Sequence, residues 1–134
     1  MPVAFSRTGK TLVQRQVERG DAVIVRTNVA TDDLVNPTIG SGADGSTCFY
    51  ALIEVDLTGS GSNATWDLTP LILTDNGVEY TRQTGDKITI LASEGLKQVY
   101  KVMVFDSADI SVLCTNSKGD TPTIASIKVI PIQI

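Results

Sequence analysis

From Phe49 to Leu57 the side chains alternate with a period of two. Phe49, Ala51, Ile53, Val55 and Leu57 fall on one face of an extended strand, and Glu54 and Asp56 on the other. A helix repeats every 3.6 residues and would scatter these positions around its surface. Similar short apolar runs continue to the end of the chain, each cut by turn residues. Thr65 to Thr74 carries Trp66, Leu68 and Ile72 in one phase, and Asp75-Asn76-Gly77 is a strong hairpin signal. Lys87–Ala92, Gln98–Phe105, Ile110–Cys114 and Ile124–Ile134 follow. With Ala22–Thr27 upstream, eight or nine short strands at regular spacing predict an all-β chain: a single-domain antiparallel β-sandwich. The strand count and a long first connection favour a jelly-roll-like sandwich, and no Cys-Trp-Cys spacing supports an immunoglobulin-like one. Aromatics are only 5% of the 134 residues, so Val, Ile and Leu must build the core.

Local signals refine this picture. Residues 1–10 are expected as an extended N-terminal arm and residues 11–134 as the sandwich domain. Thr11 to Arg19 suits a strand or a short helical turn equally. Asn28 to Thr47, with Pro37 and Gly40-Ser41-Gly42, is a long polar connection of the kind that is either functional or disordered. Pro70 predicts an edge strand or a bulge. Gln98 to Phe105 is apolar on both sides, as at a sheet centre. In the last run the apolar phase shifts between Ile127/Val129 and Ile130/Ile132/Ile134, which suggests a bulge, and Pro131 suggests an edge or pairing with another chain.

The chemistry is sparse. There is no histidine, so the commonest general base and metal ligand is missing. A net charge of −4 disfavours binding to a phosphate backbone. Ala4-Phe5-Ser6-Arg7-Thr8-Gly9-Lys10-Thr11 loosely fits a phosphate-binding loop, but no buried strand precedes it and no helix pattern follows. Glu54 and Asp56 share a strand face, with Asp67 on a possible neighbour. Paired carboxylates perform glycoside hydrolysis only when one is held protonated beside a cleft, and a solvated sheet face is the simpler reading. Asp32-Asp33 and Asp44-Gly45 lack the spacing of a calcium loop. Trp66, Tyr50, Tyr80 and Tyr100 could form a sugar-stacking platform or serve the core. Cys48 and Cys114 read as two buried thiols in a reducing compartment, with a disulfide open if their strands adjoin. No apolar run approaches the length of a membrane span and no signal peptide is seen, so a soluble product folded in a cytoplasm is expected. No catalytic residue, cofactor or metal is assigned.

Several stretches carry a resemblance to a family. They are the arm from Pro2 to Lys10, the Gly/Ser/Asp-rich loop around Gly40 to Thr47, Leu73-Thr74-Asp75-Asn76-Gly77-Val78-Glu79-Tyr80-Thr81, and the tail from Thr121-Pro122-Thr123-Ile124 to Ile134. In texture the chain resembles the jelly-roll decoration (cement) proteins of tailed bacteriophages. The resemblance implies a structural virion protein, folded in the host cytoplasm, that binds the major capsid protein on the capsid exterior and stabilises the shell. It implies a homo-oligomer, dimer or trimer, with no enzyme activity and with neither nucleic acid nor membrane as partner. On that reading Val3, Phe5, Arg7, Lys10, Asp32, Asp33 and Pro37 are the candidate capsid contacts. Ile130, Pro131, Ile132 and Ile134 are the candidate subunit-pairing edge. The alternative is a carbohydrate- or receptor-binding sandwich of a phage tail or fibre.

Overall fold

The computed structural model describes residues 4–7, 10–13, 18–33, 42–73, 80–82, 87–104 and 107–133. Among the described residues twelve strands are formed: β1 (Ala4–Arg7), β2 (Lys10–Val13), β3 (Glu18–Arg19), β4 (Val23–Val29), β5 (Ala43–Gly45), β6 (Cys48–Asp56), β7 (Thr65–Leu73), β8 (Tyr80–Arg82), β9 (Ile88–Leu91), β10 (Lys97–Met103), β11 (Ser107–Lys118) and β12 (Ile124–Gln133). One 3-10 turn, Ala92–Glu94, links β9 to β10.

The first sheet runs β10-β6-β12, with β4 and β3 both on the far side of β12. The second runs β5-β11-β7, with β9 and β8 both on the far side of β7. Every pairing is antiparallel. Follow β4, β5, β6, β7, β9, β10, β11 and β12 in order: the chain changes sheet at every step except β7 to β9. That is the jelly-roll winding, and it places the last strand between β4 and β6. The expected sandwich is therefore present, with its connection pattern.

Alternation makes the core. Ala51, Ile53 and Val55 of β6, Ile127 and Val129 of β12, and Val102 of β10 are buried on the inward side of the first sheet. They pack with Trp66, Leu68 and Ile72 of β7, Ile90 of β9, and Ile110, Val112 and Cys114 of β11. Each large aliphatic side chain so buried contributes about 1.5–3 kcal/mol relative to exposure. The loops at one end are stitched together. Ser60 Oγ donates to Thr123 O and accepts from Thr123 N–H, Gly61 N–H donates to Asp120 O, and Ala92 N–H donates to Ala64 O.

Several expectations are corrected. The strand from Val99 lies at an edge and not at the centre: among the described residues β10 pairs with β6 alone, and Val99 is 58% exposed. Conversely, β12 is interior, so Pro131 does not mark an edge. Its neighbour on one side changes at this point, from β4 (through Val129) to β3 (from Ile132). Pro131 O accepts from Gly20 N–H, and in a strand a residue's N and O face the same side. The missing donor therefore points into the break between two short strands. Pro70 uses the same device in β7, between Leu68, which pairs with β9, and Leu71, which pairs with β8. The apolar phase in β12 does not shift through a bulge, since its register with β6 is unbroken from Ser126 to Ile132. Ile127 and Val129 face inward while Ile130 and Ile132 are buried on the outward side. Phe49 leaves the face assigned to it, because a bulge at Cys48–Tyr50 buries Cys48 and leaves Phe49 48% exposed.

Residues 4–7 pair with 10–13 as an antiparallel two-stranded ribbon. The Asp75-Asn76-Gly77 turn lies outside the described residues. The β7–β8 register, Leu73 opposite Tyr80, brackets it.

Candidate interaction face

The outward face of the first sheet can be read row by row from the register. One row crosses four of its five strands: Val99 of β10, Glu54 of β6, Lys128 of β12 and Ile24 of β4. Next to it lie Lys97, Asp56, Ser126 and Thr27. Acids thus occupy β6 and bases flank them on both neighbours, as cross-strand pairing favours. Arg19 Nη2 adds a loose contact, 3.8 Å from Glu54 Oε1. Val99 and Ile24, 58% and 55% exposed, bracket this charged centre. Glu54, Val55, Asp56, Lys97, Gln98, Val99, Ser126 and Lys128 line a shallow groove of about 250 Å³.

The Asp56 carboxylate is anchored as an anion. Asp56 accepts from Thr58 Oγ1 and from Thr58 N–H at 2.9 Å. Those bonds hold its carboxyl below the usual 3.8, helped by Lys97 and Lys128. A general acid needs the opposite shift. Asp67 stands apart, on the outward face of the second sheet. There Asn116 Nδ2 donates to it at 2.8 Å, and Thr89 Oγ1 and Lys87 approach as well, lowering its pKa. The three acids therefore do not converge.

The remaining candidates separate. Val3, Pro37 and Ile134 lie outside the described residues. Phe5, Arg7 and Lys10 lie on the β1–β2 ribbon, Phe5 opposite Leu12 and Arg7 opposite Lys10. Asp32 and Asp33 tie the sandwich together: Asp32 Oδ1 accepts from Ser117 N–H at 2.8 Å, which lowers its pKa, and Asp33 N–H donates to Cys114 O at 2.7 Å. Asp33 Oδ2 also sits 2.6 Å from Arg26 Nε. Ile130, Pro131 and Ile132 are buried within an interior strand, which removes them as a pairing edge.

Trp66 is buried in the core, so it cannot stack on a sugar. Tyr100 is half-buried and its hydroxyl donates to Gln98 Oε1, while Tyr50 lies under Lys101 Nζ, 4.5 Å from the ring centroid. Cys48 and Cys114 are both buried, and burial raises the Cys114 pKa to about 12. Among the described residues no three His, Cys, Asp or Glu side chains group as metal ligands, and no helix is long and apolar enough to cross a membrane.

Ile24, Lys97, Val99, Lys101 and Lys128 are the residues that inspection of the sequence passed over. Their signal was Lys97-x-Val99-x-Lys101, since alternate lysines on a strand commonly mark an edge. Comparison with known proteins found no matching family model, no matching curated protein and no matching solved structure.

Proposed function

We propose that this domain is a structural binding module. Specifically, it is a decoration protein that lies on the outer surface of a tailed-bacteriophage capsid, binds the major capsid protein as a dimer or trimer, and stabilises the shell. The observation that supports this reading is the outward face of the first sheet. It is broad and charge-balanced, with exposed Val99 and Ile24 at its two sides and no deep cleft between them. Such a face suits contact with another macromolecule more than capture of a small one. Apolar area covered at roughly 25 cal/mol per Å² gives each copy a modest gain, and repetition over a symmetric shell multiplies it.

The test is co-sedimentation of the purified protein with shells that lack their decoration protein. Wild type is expected in the pellet, and an Ile24→Glu/Val99→Glu double variant with unchanged melting temperature is expected in the supernatant. A double variant that pellets equally well would remove this face from the contact. Binding on a glycan array without binding to shells would favour the carbohydrate-binding alternative.

A further inference from the structure

The two flanks of the sandwich, where edges of opposite sheets meet, are finished differently. On one flank the chain closes the gap itself. After β4 the acidic segment Thr31-Asp32-Asp33 runs along the free side of β11, held by Asp33 N–H to Cys114 O, Asp32 to Ser117 N–H, and the Arg26–Asp33 ion pair. On the other flank, between β9 and β10, a groove of about 270 Å³ remains, lined by Lys87, Ile88, Lys101, Val102 and Met103. Ile88 and Val102 have the phase of the core, since they pair with Leu68 and Ala51.

The edge beside this groove is regular. Leu57 N–H donates to Leu96 O, and Val104 N–H donates to Phe49 O. Antiparallel bonding alternates, so Gln98, Tyr100 and Val102 turn their backbone groups toward β6. Lys97, Val99 and Lys101 turn theirs the other way, and among the described residues these groups have no partner.

We infer that β10 is a strand-addition site for an extended segment of another polypeptide with the pattern acid–apolar–apolar–apolar–acid. An antiparallel strand laid on β10 would satisfy the open backbone groups of Lys97, Val99 and Lys101. Its two acids would stand opposite Lys97 and Lys101, and its central residue opposite Val99. The two residues between would stand opposite Gln98 and Tyr100 and point inward, the one opposite Tyr100 beside Val102 at the groove. Opposite charges directly across a ladder stabilise it and like charges oppose it. A second copy is turned away by that rule, because β10 paired with itself about Val99 sets Lys97 against Lys101 twice. The closed flank shows the same construction already completed, an acidic extended segment beside a cation. This inference goes beyond the capsid reading and stands without it.

The probe is acetyl-Ser-Glu-Val-Ile-Val-Glu-Ser-amide carrying a fluorophore, with a counterpart bearing Lys in place of each Glu, titrated against the full chain. The acidic peptide is expected to bind at least about tenfold tighter than the basic one, and the K97E/K101E variant to reverse that order. Hydrogen exchange at the Val99 and Lys101 amides should slow about tenfold in the complex. Equal binding of both peptides, or protection elsewhere in the chain, would overturn the inference. A second variant tests the edge without any peptide. In K101E every lysine at 97 faces an acid of its copy, so a concentration-dependent dimer is expected by sedimentation. A K101E chain that stays monomeric would show that the edge is not available.

Discussion

The Arg26–Asp33 pair closes one flank of the sandwich, and its removal has a size that can be worked out. The side chains are only 14% and 22% exposed, and Arg26 Nε lies 2.6 Å from Asp33 Oδ2. Arg26 Nη1 also donates to Val25 O at 3.0 Å, while Nη2 is buried with no hydrogen-bond partner among the described residues. A bulge in β4 produces this arrangement: Ile127 pairs with Arg26 but Lys128 with Ile24, so Val25 is extra and the guanidinium turns inward. Exposed ion pairs contribute about 0–1 kcal/mol, and stripping one partner from a fully buried pair costs about 3–5. Asp33→Ala should therefore cost about 2 kcal/mol, roughly 5–7 °C in Tm for a chain of this length. The backbone bond from residue 33 to Cys114 O survives the substitution, so the loss isolates the charge. Arg26→Met/Asp33→Ala leaves no orphan charge and should recover about half of that. Urea denaturation of wild type, both single variants and the double variant closes the cycle. A coupling smaller than about 0.4 kcal/mol, the noise of additive sites, would refute the account of this flank.

Three further outcomes are expected. Asp67 has its pKa lowered, by Asn116 first, so its contribution is complete above pH 3.8 and is lost as pH falls below it. Asp67→Asn should be about 1 kcal/mol less stable at pH 7 and equal to wild type near pH 2 in acid-unfolding curves. Cys114, raised from 9.0 to about 12, stabilises fully below pH 9 and loses that stabilisation between 9 and 12, as the unfolded thiol ionises first. Wild-type stability should therefore fall faster there than that of Cys114→Ala, by up to about 1.4 kcal/mol per pH unit. Gly119 (φ +91°) would place a Cβ 2.4 Å from Asn63 O, whereas Gly59 (φ +97°) has open space around it. Gly119→Ala should cost about 2–3 kcal/mol and Gly59→Ala about 1, and equal Tm losses would show that the stitched loop end yields freely.

Much of the fold was legible because strand alternation is local. Ala51, Ile53, Val55, Trp66, Leu68 and Ile72 declare their buried faces within a few residues of chain, and those faces are the observed core. Position within a sheet is not local. Val99–Met103 reads as central because apolar residues lie on both sides, yet winding places it at an edge and leaves Val99 in solvent. The candidate interaction face was harder still. Val99, Glu54, Lys128 and Ile24 become one row only through three registers spanning more than a hundred residues. Asp32 and Asp33 were noticed as acids, but their partners, Ser117 and Arg26, are brought to them by the crossover between sheets.

The prolines show how such long-range placement can be read. In a jelly roll the last strand of the winding lies between the first and third, so Pro131 had to sit in an interior strand once that topology was expected. A proline there removes one ladder donor, and the neighbour on that side is divided, β4 and then β3. Pro70 divides β8 from β9 in the same way. Two of the sandwich's four edges are thereby broken into short pieces, β4 carries the Val25 bulge besides, and β5 spans only Ala43–Gly45. Short, bulged or interrupted edges are poor templates for an incoming strand. β10 keeps one unbroken register from Lys97 to Met103 and is the exception among the described edges. The same two prolines that protect the rest of the sandwich thus leave β10 as the edge on which another chain can add.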